Sequence, residues 1–208
     1  MTLFITLFLL LFQSEPFSNF TYCKEKSNAL YERQCVDLNY AGEGMVRLKK
    51  RNSEEIKVAV KLSPSARDRF LGVIAATNNL ANGDTYESGR KVADLGKKHL
   101  TLKTASETRE AEFNFSVIKE VNDLVTFFEA MTNQEAMVFD IENALQFDRL
   151  SIPKWVERIE TDLKRNAFAD PERLIPLLDK IKADSRVMNY TRDLAGKMKE
   201  QILTKKTK

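Results

Sequence analysis

MVRLKKRNSEEIKVAVKLSPSARDRFLGVIAATNNL, residues 45–80, and HLTLKTASETREAEFNFSVIKEVNDLVTFFEAM, residues 99–131, carry the pattern from which the fold is read. In the first stretch Ile56, Val58, Val60 and Leu62 share one face of an extended chain and Lys57 and Lys61 the other. Such a period of two marks a half-buried strand. Met45, Val46 and Leu48 precede it across the polar run 50–54, which suits a hairpin loop. The period then changes. Ser63 before Pro64 predicts a helix start, since the hydroxyl can accept from an orphan amide and proline gives up an N–H that had no partner. Phe70, Leu71, Ile74 and Leu80 form its apolar stripe.

The second stretch repeats the order. Leu100 and Leu102 alternate with Thr101 and Lys103, and Ala111, Phe113 and Phe115 alternate with Glu110, Glu112 and Asn114, around a turn at 105–108. Val117, Val121, Leu124, Phe128 and Met131 return to helical spacing. The predicted class is therefore α+β: two antiparallel hairpins forming a four-stranded sheet covered by helices, in the order ββαββα, followed by a helical C-terminal region.

Outward from this module, the chain divides into 1–14, a signal peptide or N-terminal anchor; 15–44, a cysteine-containing N-terminal segment; 45–150, the α+β module; and 151–208, the helical region. Residues 2–12, TLFITLFLLLF, are uncharged and apolar, and stop at Gln13, Ser14 and Glu15. The run has the length of a secretory h-region and falls short of the roughly 20 residues needed to span a bilayer. It predicts a secreted or periplasmic protein. A membrane-anchored protein is the alternative if the run is not cleaved, because no Lys or Arg precedes it and no clean small-x-small site follows.

Cys23 and Cys35 are the two cysteines of the chain, close together and just past that run, which predicts a local disulfide in an oxidising compartment. A metal reading lacks partners, since His99 is the single histidine. Asn19, Asn114 and Asn189 each begin an N-glycosylation triplet, which has meaning only in a eukaryotic secretory pathway.

The connection 81–98, ANGDTYESGRKVADLGKK, is long for a structureless loop. Tyr86, Arg90, Lys91 and Asp94 are its candidate partner-binding side chains. The plainer reading is an irregular crossover with Val92 and Leu95 tucked into the core.

Residues 41–131 resemble the small secreted bacterial domains typified by emfourin, a protein inhibitor of thermolysin-like metallopeptidases. The shared features are a Gly-led hairpin (Gly42, Gly44, then Met45, Val46, Arg47 and Leu48), the helix started by Leu62, Ser63 and Pro64, the HLTLKT and EAEFNF hairpin, and a closing helix. The resemblance covers under half of the chain and implies a binding protein. No inhibitory residue of that family is placed on a position here.

Past Met131, apolar spacing continues through Met137, Val138, Phe139, Ile141, Leu145 and Phe147, with Thr132, Asn133 and Gln134 expected to bend or interrupt the helix. Trp155, Val156, Ile159 and Leu163 predict a short amphipathic helix, with Trp155 as a core anchor. Asp170 before Pro171 predicts the cap of another, bearing Leu174, Leu177, Leu178 and Ile181. A last helix carries Leu194, Met198, Ile202 and Leu203. Residues 171–199 resemble one helical hairpin of a HEAT repeat, a unit that buries a core only by stacking.

The 33 basic and 30 acidic residues are interleaved, so no stripe of one sign argues for nucleic acid. Residues 152–208 hold 14 basic and 9 acidic residues, a surplus that reads as a solvated helix face. No nucleophile elbow, phosphate-binding glycine loop or H-E-x-x-H occurs, and no cofactor is implied. The functional expectation is an exported, non-catalytic interaction module whose partner is another protein, with an inhibitor-like action implied by the resemblance; the alternative is a hydrolase or transferase using dispersed acidic residues. An exposed sheet edge or apolar patch favours the first, a concave acidic pocket the second.

Overall fold

The computed structural model describes residues 15–206, so the apolar run at 2–12 lies outside the described residues. Six strands, β1 (Asn19–Glu25), β2 (Tyr31–Leu38), β3 (Glu43–Lys50), β4 (Glu55–Lys61), β5 (Lys97–Lys103) and β6 (Thr108–Phe113), form one antiparallel sheet in the order β4-β3-β2-β1-β5-β6. The expectation of four strands is corrected to six. The hairpins β3-β4 and β5-β6 form as read, but they do not meet. Residues 19–38, read as a cysteine-containing segment, supply the two central strands between them.

One face of the sheet is apolar and covered. Phe20 and Tyr22 of β1, Val36 and Leu38 of β2, and Leu100 and Leu102 of β5 point into it, as the pleat requires of alternate residues. Helix α1 (Pro64–Ala76) and helix α2 (Lys119–Phe147) lie over this face. Phe128 of α2 stacks on Phe20 and Tyr22 with ring centroids 5.1 and 5.2 Å away, and Phe70 of α1 meets Phe20 and Phe128 edge-on at 6.3 and 6.1 Å. Aromatic pairs in such geometries contribute about 0.5–1.5 kcal/mol each beyond their burial. The opposite face carries the disulfide between Cys23 and Cys35, which stand directly across from each other on β1 and β2 with Cα atoms 4.1 Å apart.

Helix α2 runs unbroken for 29 residues, about 43 Å at the usual rise. The expected interruption at Thr132, Asn133 and Gln134 does not occur: the buried polar groups of Thr132 and Gln134 have partners, and Asn133 is exposed. The Thr132 hydroxyl donates to the Glu129 carbonyl, and the Gln134 amide both donates to and accepts from the backbone of Asp170, at 2.7 and 3.0 Å. The first half of α2 packs on the sheet through Val121, Leu124, Phe128 and Met131. Its second half turns Met137, Ile141 and Ala144 into a separate cluster with α3 (Ile152–Lys164), α4 (Ile175–Ala183) and α5 (Asn189–Lys206).

The two clusters are joined at 169–173. Asp170, expected to cap the helix after it, makes no side-chain bond there. Its carboxylate instead accepts from the backbone N–H and hydroxyl of Ser63, while Ser63 Oγ accepts from Ala66 N and so caps α1. Arg173 forms a two-pronged pair with the buried Glu135 carboxylate of α2, at 2.7 and 3.0 Å.

Candidate functional site

Sheet edges come first, because an unpaired strand edge is a ready template for another chain. On β4 the carbonyls of Ala59 and Lys61 accept from Arg173, at 3.4 and 3.5 Å. On β6 the 3-10 turn Gly83–Thr85 lies against the strand, so close that a Cβ on Gly83 would sit 2.2 Å from the Glu110 carbonyl oxygen. Arg109 of β6 also donates to the Asn79 carbonyl at 3.0 Å. Each edge is thus covered over part of its length, β4 at its C-terminal end and β6 around Arg109 and Glu110.

The candidate loop residues separate. Tyr86 is a core residue, 3% exposed, whose hydroxyl donates to the Thr77 carbonyl at 3.2 Å and whose ring meets Phe113 edge-on. Arg90, Lys91 and Asp94 are exposed, and the Asp94 carboxylate accepts from Gly96 N at 2.8 Å. Val92 and Leu95, expected in the core, are exposed instead. Asn114, just past β6, organises this stretch: its amide donates to the Ala93 carbonyl and accepts from Leu95 N. The triplet asparagines Asn19 and Asn189 lie in β1 and at the start of α5. Of the four candidates, three are thus exposed polar side chains, Arg90, Lys91 and Asp94.

A concave, partly apolar surface lies elsewhere, along the outer side of α2 and α3. It runs from the β1-β2 hairpin tip, with Leu30 and Tyr31, past Met137 and Asp140 to Phe147 at the end of α2. Trp155 and Arg158 of α3 line its whole length. The large apolar side chains at its ends are open to solvent: Leu30 is 70% exposed and Phe147 83%, with Leu150 beyond it at 95%.

Local sequence explains this exposure. Along α3 the stripe Ile152, Val156, Ile159 and Leu163 is buried in the helical cluster, which leaves Trp155 and Arg158 one step round the helix toward the groove. Trp155, expected as a core anchor, is half-buried there, with the Arg158 guanidinium 5.7 Å from its ring centre. On α2 the residues that pack on the cluster end at Leu145, so Phe147 projects past it.

The floor is polar and paired. Lys50 of β3 reaches the Asp140 carboxylate at 3.2 Å and lies over the Tyr31 ring at 4.9 Å. Asp148, Lys154 and Arg158 also line the groove, Arg158 lying 3.7 Å from the Asp162 carboxylate. No group of three His, Cys, Asp or Glu side chains able to hold a metal ion occurs among the described residues. No described helix is long and apolar enough to cross a membrane.

Sequence reasoning had Phe147 and Trp155 in view as apolar positions but placed them inward, and passed over Leu30. The available signal was the spacing of Trp155 relative to Val156, Ile159 and Leu163: Trp155 falls at the margin of that stripe. No protein-family model and no curated protein sequence matches the chain.

Proposed function

We propose that this protein is an exported, non-catalytic interaction module that receives an amphipathic helix of a partner protein in the groove between α2 and α3. The observation that carries this reading is a concavity lined along its length by the half-buried Trp155, with the solvent-open apolar side chains Leu30 at one end and Phe147 at the other and the exposed Leu150 three residues past Phe147. Isolated exposed apolar residues are ordinary, but several around one concavity, rimmed by charge, mark an interaction site. Trp and Arg at the centre are the residue types that dominate binding energy in such sites.

The choice of a helix follows from the walls. The helices α3, α4 and α5 stack on the second half of α2 around one core. Helical layers of this kind bury apolar surface by adding neighbours, and the outer face of the α2-α3 layer retains the half-buried Trp155 and the exposed Phe147. A partner helix with apolar residues at i, i+3, i+4 and i+7 continues the stack, and acidic residues on its flank would meet Lys154 and Arg158. Export is supported by the apolar run at 2–12 and by the Cys23–Cys35 disulfide, which is compatible with an oxidising compartment.

A photo-crosslinking side chain placed at Leu150, with one at the distant exposed Tyr190 as control, tests this in the exported protein. The expected adduct forms at 150 only, maps to an amphipathic helical segment, and disappears on F147D. Equal adducts at both positions, or an adduct at 150 indifferent to F147D, would overturn the reading.

A further inference from the structure

A second cleft lies across the sheet, where β1 and β5 meet α2, and it is built differently. Leu95, Phe113, Phe115 and Val125 give its walls apolar patches, Asn114, Ser116, Asn122 and Glu129 line the rest, and three lysines reach it: Lys24, Lys26 and Lys98. Lys98 is only 5% exposed, although it carries an ammonium. Charged lysines are almost never buried without a partner. Here one of its three donors is used on the Asn114 carbonyl at 2.6 Å.

The acidic groups around it are otherwise engaged. Glu129 of α2 pairs with Lys24 at 2.7 Å. Glu87 accepts from Asn114 N at 2.6 Å and Asp94 from Gly96 N at 2.8 Å. Among the described residues neither Lys98 nor Lys26 has a carboxylate within ion-pair distance. Burial, and then the charge of Lys24, lower the Lys98 pKa, against the weaker opposing fields of Glu129, Asp94 and Glu87. The arrangement is a cation that lacks a counter-charge, facing a cleft with apolar sides.

We infer that this cleft binds a small organic anion, a carboxylate carried on an apolar body, with the carboxylate on Lys98 and Lys26 and the body against Phe113, Phe115 and Val125. Two features call for the two halves of that ligand. The unpaired ammonium groups select the negative charge, and a carboxylate recovers part of the hydration that Lys98 gave up on burial. The apolar walls select the body, as in ligand clefts where a few polar groups fix orientation within a mostly apolar lining. A bare anion would leave those walls wet, and a neutral aromatic would leave the lysines as they are.

Benzoate, benzyl alcohol and inorganic phosphate are the probes, titrated into the folded full chain while amide resonances are followed. The expected result is a saturable benzoate shift at Lys98, Asn114 and Val125, with benzyl alcohol and phosphate weaker by about tenfold or more. K98M should weaken benzoate about tenfold. K26M, at a half-buried position on the cleft, should weaken it severalfold without disturbing the remaining spectrum, which keeps the test open if K98M folds poorly. Benzoate without a saturable shift, benzyl alcohol as effective as benzoate, phosphate as tight as benzoate, or K26M binding like wild type would each overturn the proposal.

Discussion

The carboxylate of Asp170 accepts two hydrogen bonds from Ser63, one from the backbone N–H at 2.7 Å and one from the hydroxyl at 2.9 Å. Through this contact a residue of the helical region fixes the cap of the first helix over the sheet. D170A leaves a part-buried N–H and hydroxyl without their acceptor, at a cost of about 1–3 kcal/mol. D170N, which keeps one acceptor oxygen, should cost less. Urea unfolding measures both, and an unchanged midpoint for D170A would refute the role given to this contact.

Asp170, Gln134 and the Arg173–Glu135 pair together couple the two clusters. Fluorescence of Trp155, the one tryptophan, reports on the helical side, and near-ultraviolet dichroism of the tyrosines is dominated by the sheet side. The two probes are expected to trace a single urea transition. Two separated midpoints would show that the helical region unfolds independently of the sheet.

The disulfide closes a short loop between neighbouring strands. Replacing both Cys23 and Cys35 by alanine is expected to cost about 3 kcal/mol, most of it through the unfolded chain. Alkylation of the native protein before reduction should label neither thiol, since both are joined.

Gly83 is required by close approach, since a side chain there would run into the backbone of β6. G83A should destabilise by about 1–3 kcal/mol. It should also raise the tendency to associate, because displacing the 3-10 turn bares that edge. Light scattering of the variant at matched concentration checks the second effect, and a stable monomer with wild-type midpoint would contradict both.

Lys98 gives a pH signature. Its folded-state pKa lies below the ordinary 10.5, so between the two values the unfolded chain binds more protons and stability rises with pH. K98M lacks that contribution. The unfolding free energy of wild type minus that of K98M should therefore be flat at neutral pH and climb as pH approaches 10.5. A difference that stays constant or falls would show that burial does not depress this lysine.

Four strands and the first two helices were legible because their periods are clean and their polar faces are charged. The central strands were not. In β2 a bulge between Tyr31 and Arg33 shifts the alternation, and Cys35 and Val36, adjacent in sequence, are both buried. A strand buried on both faces loses the period of two that identifies it. The cysteines in β1 and β2 also drew the segment toward a disulfide-loop reading, although a cross-strand bridge needs those strands. The polar triplet in α2 misled for a related reason: the partners of Thr132 and Gln134 are a backbone carbonyl one turn back and a residue distant in sequence. The groove was illegible because an apolar stripe does not say where its margin falls until the neighbouring helices are placed.

The strand order sets a schedule for the nascent chain. As synthesis delivers the chain from its N-terminus, β1 to β4 are complete while β5, which pairs Lys103 with Asn19 and Lys97 with Glu25 of β1, is still to come. Oxidation of Cys23 with Cys35 can clamp β1 to the neighbour it already has. Its other edge must wait for β5, and Phe20 and Tyr22 on its face must wait for Phe128 of α2, contacts that close over a long stretch of chain and are the slow kind to form. During that interval β1 is where two unfinished chains would most readily pair with each other.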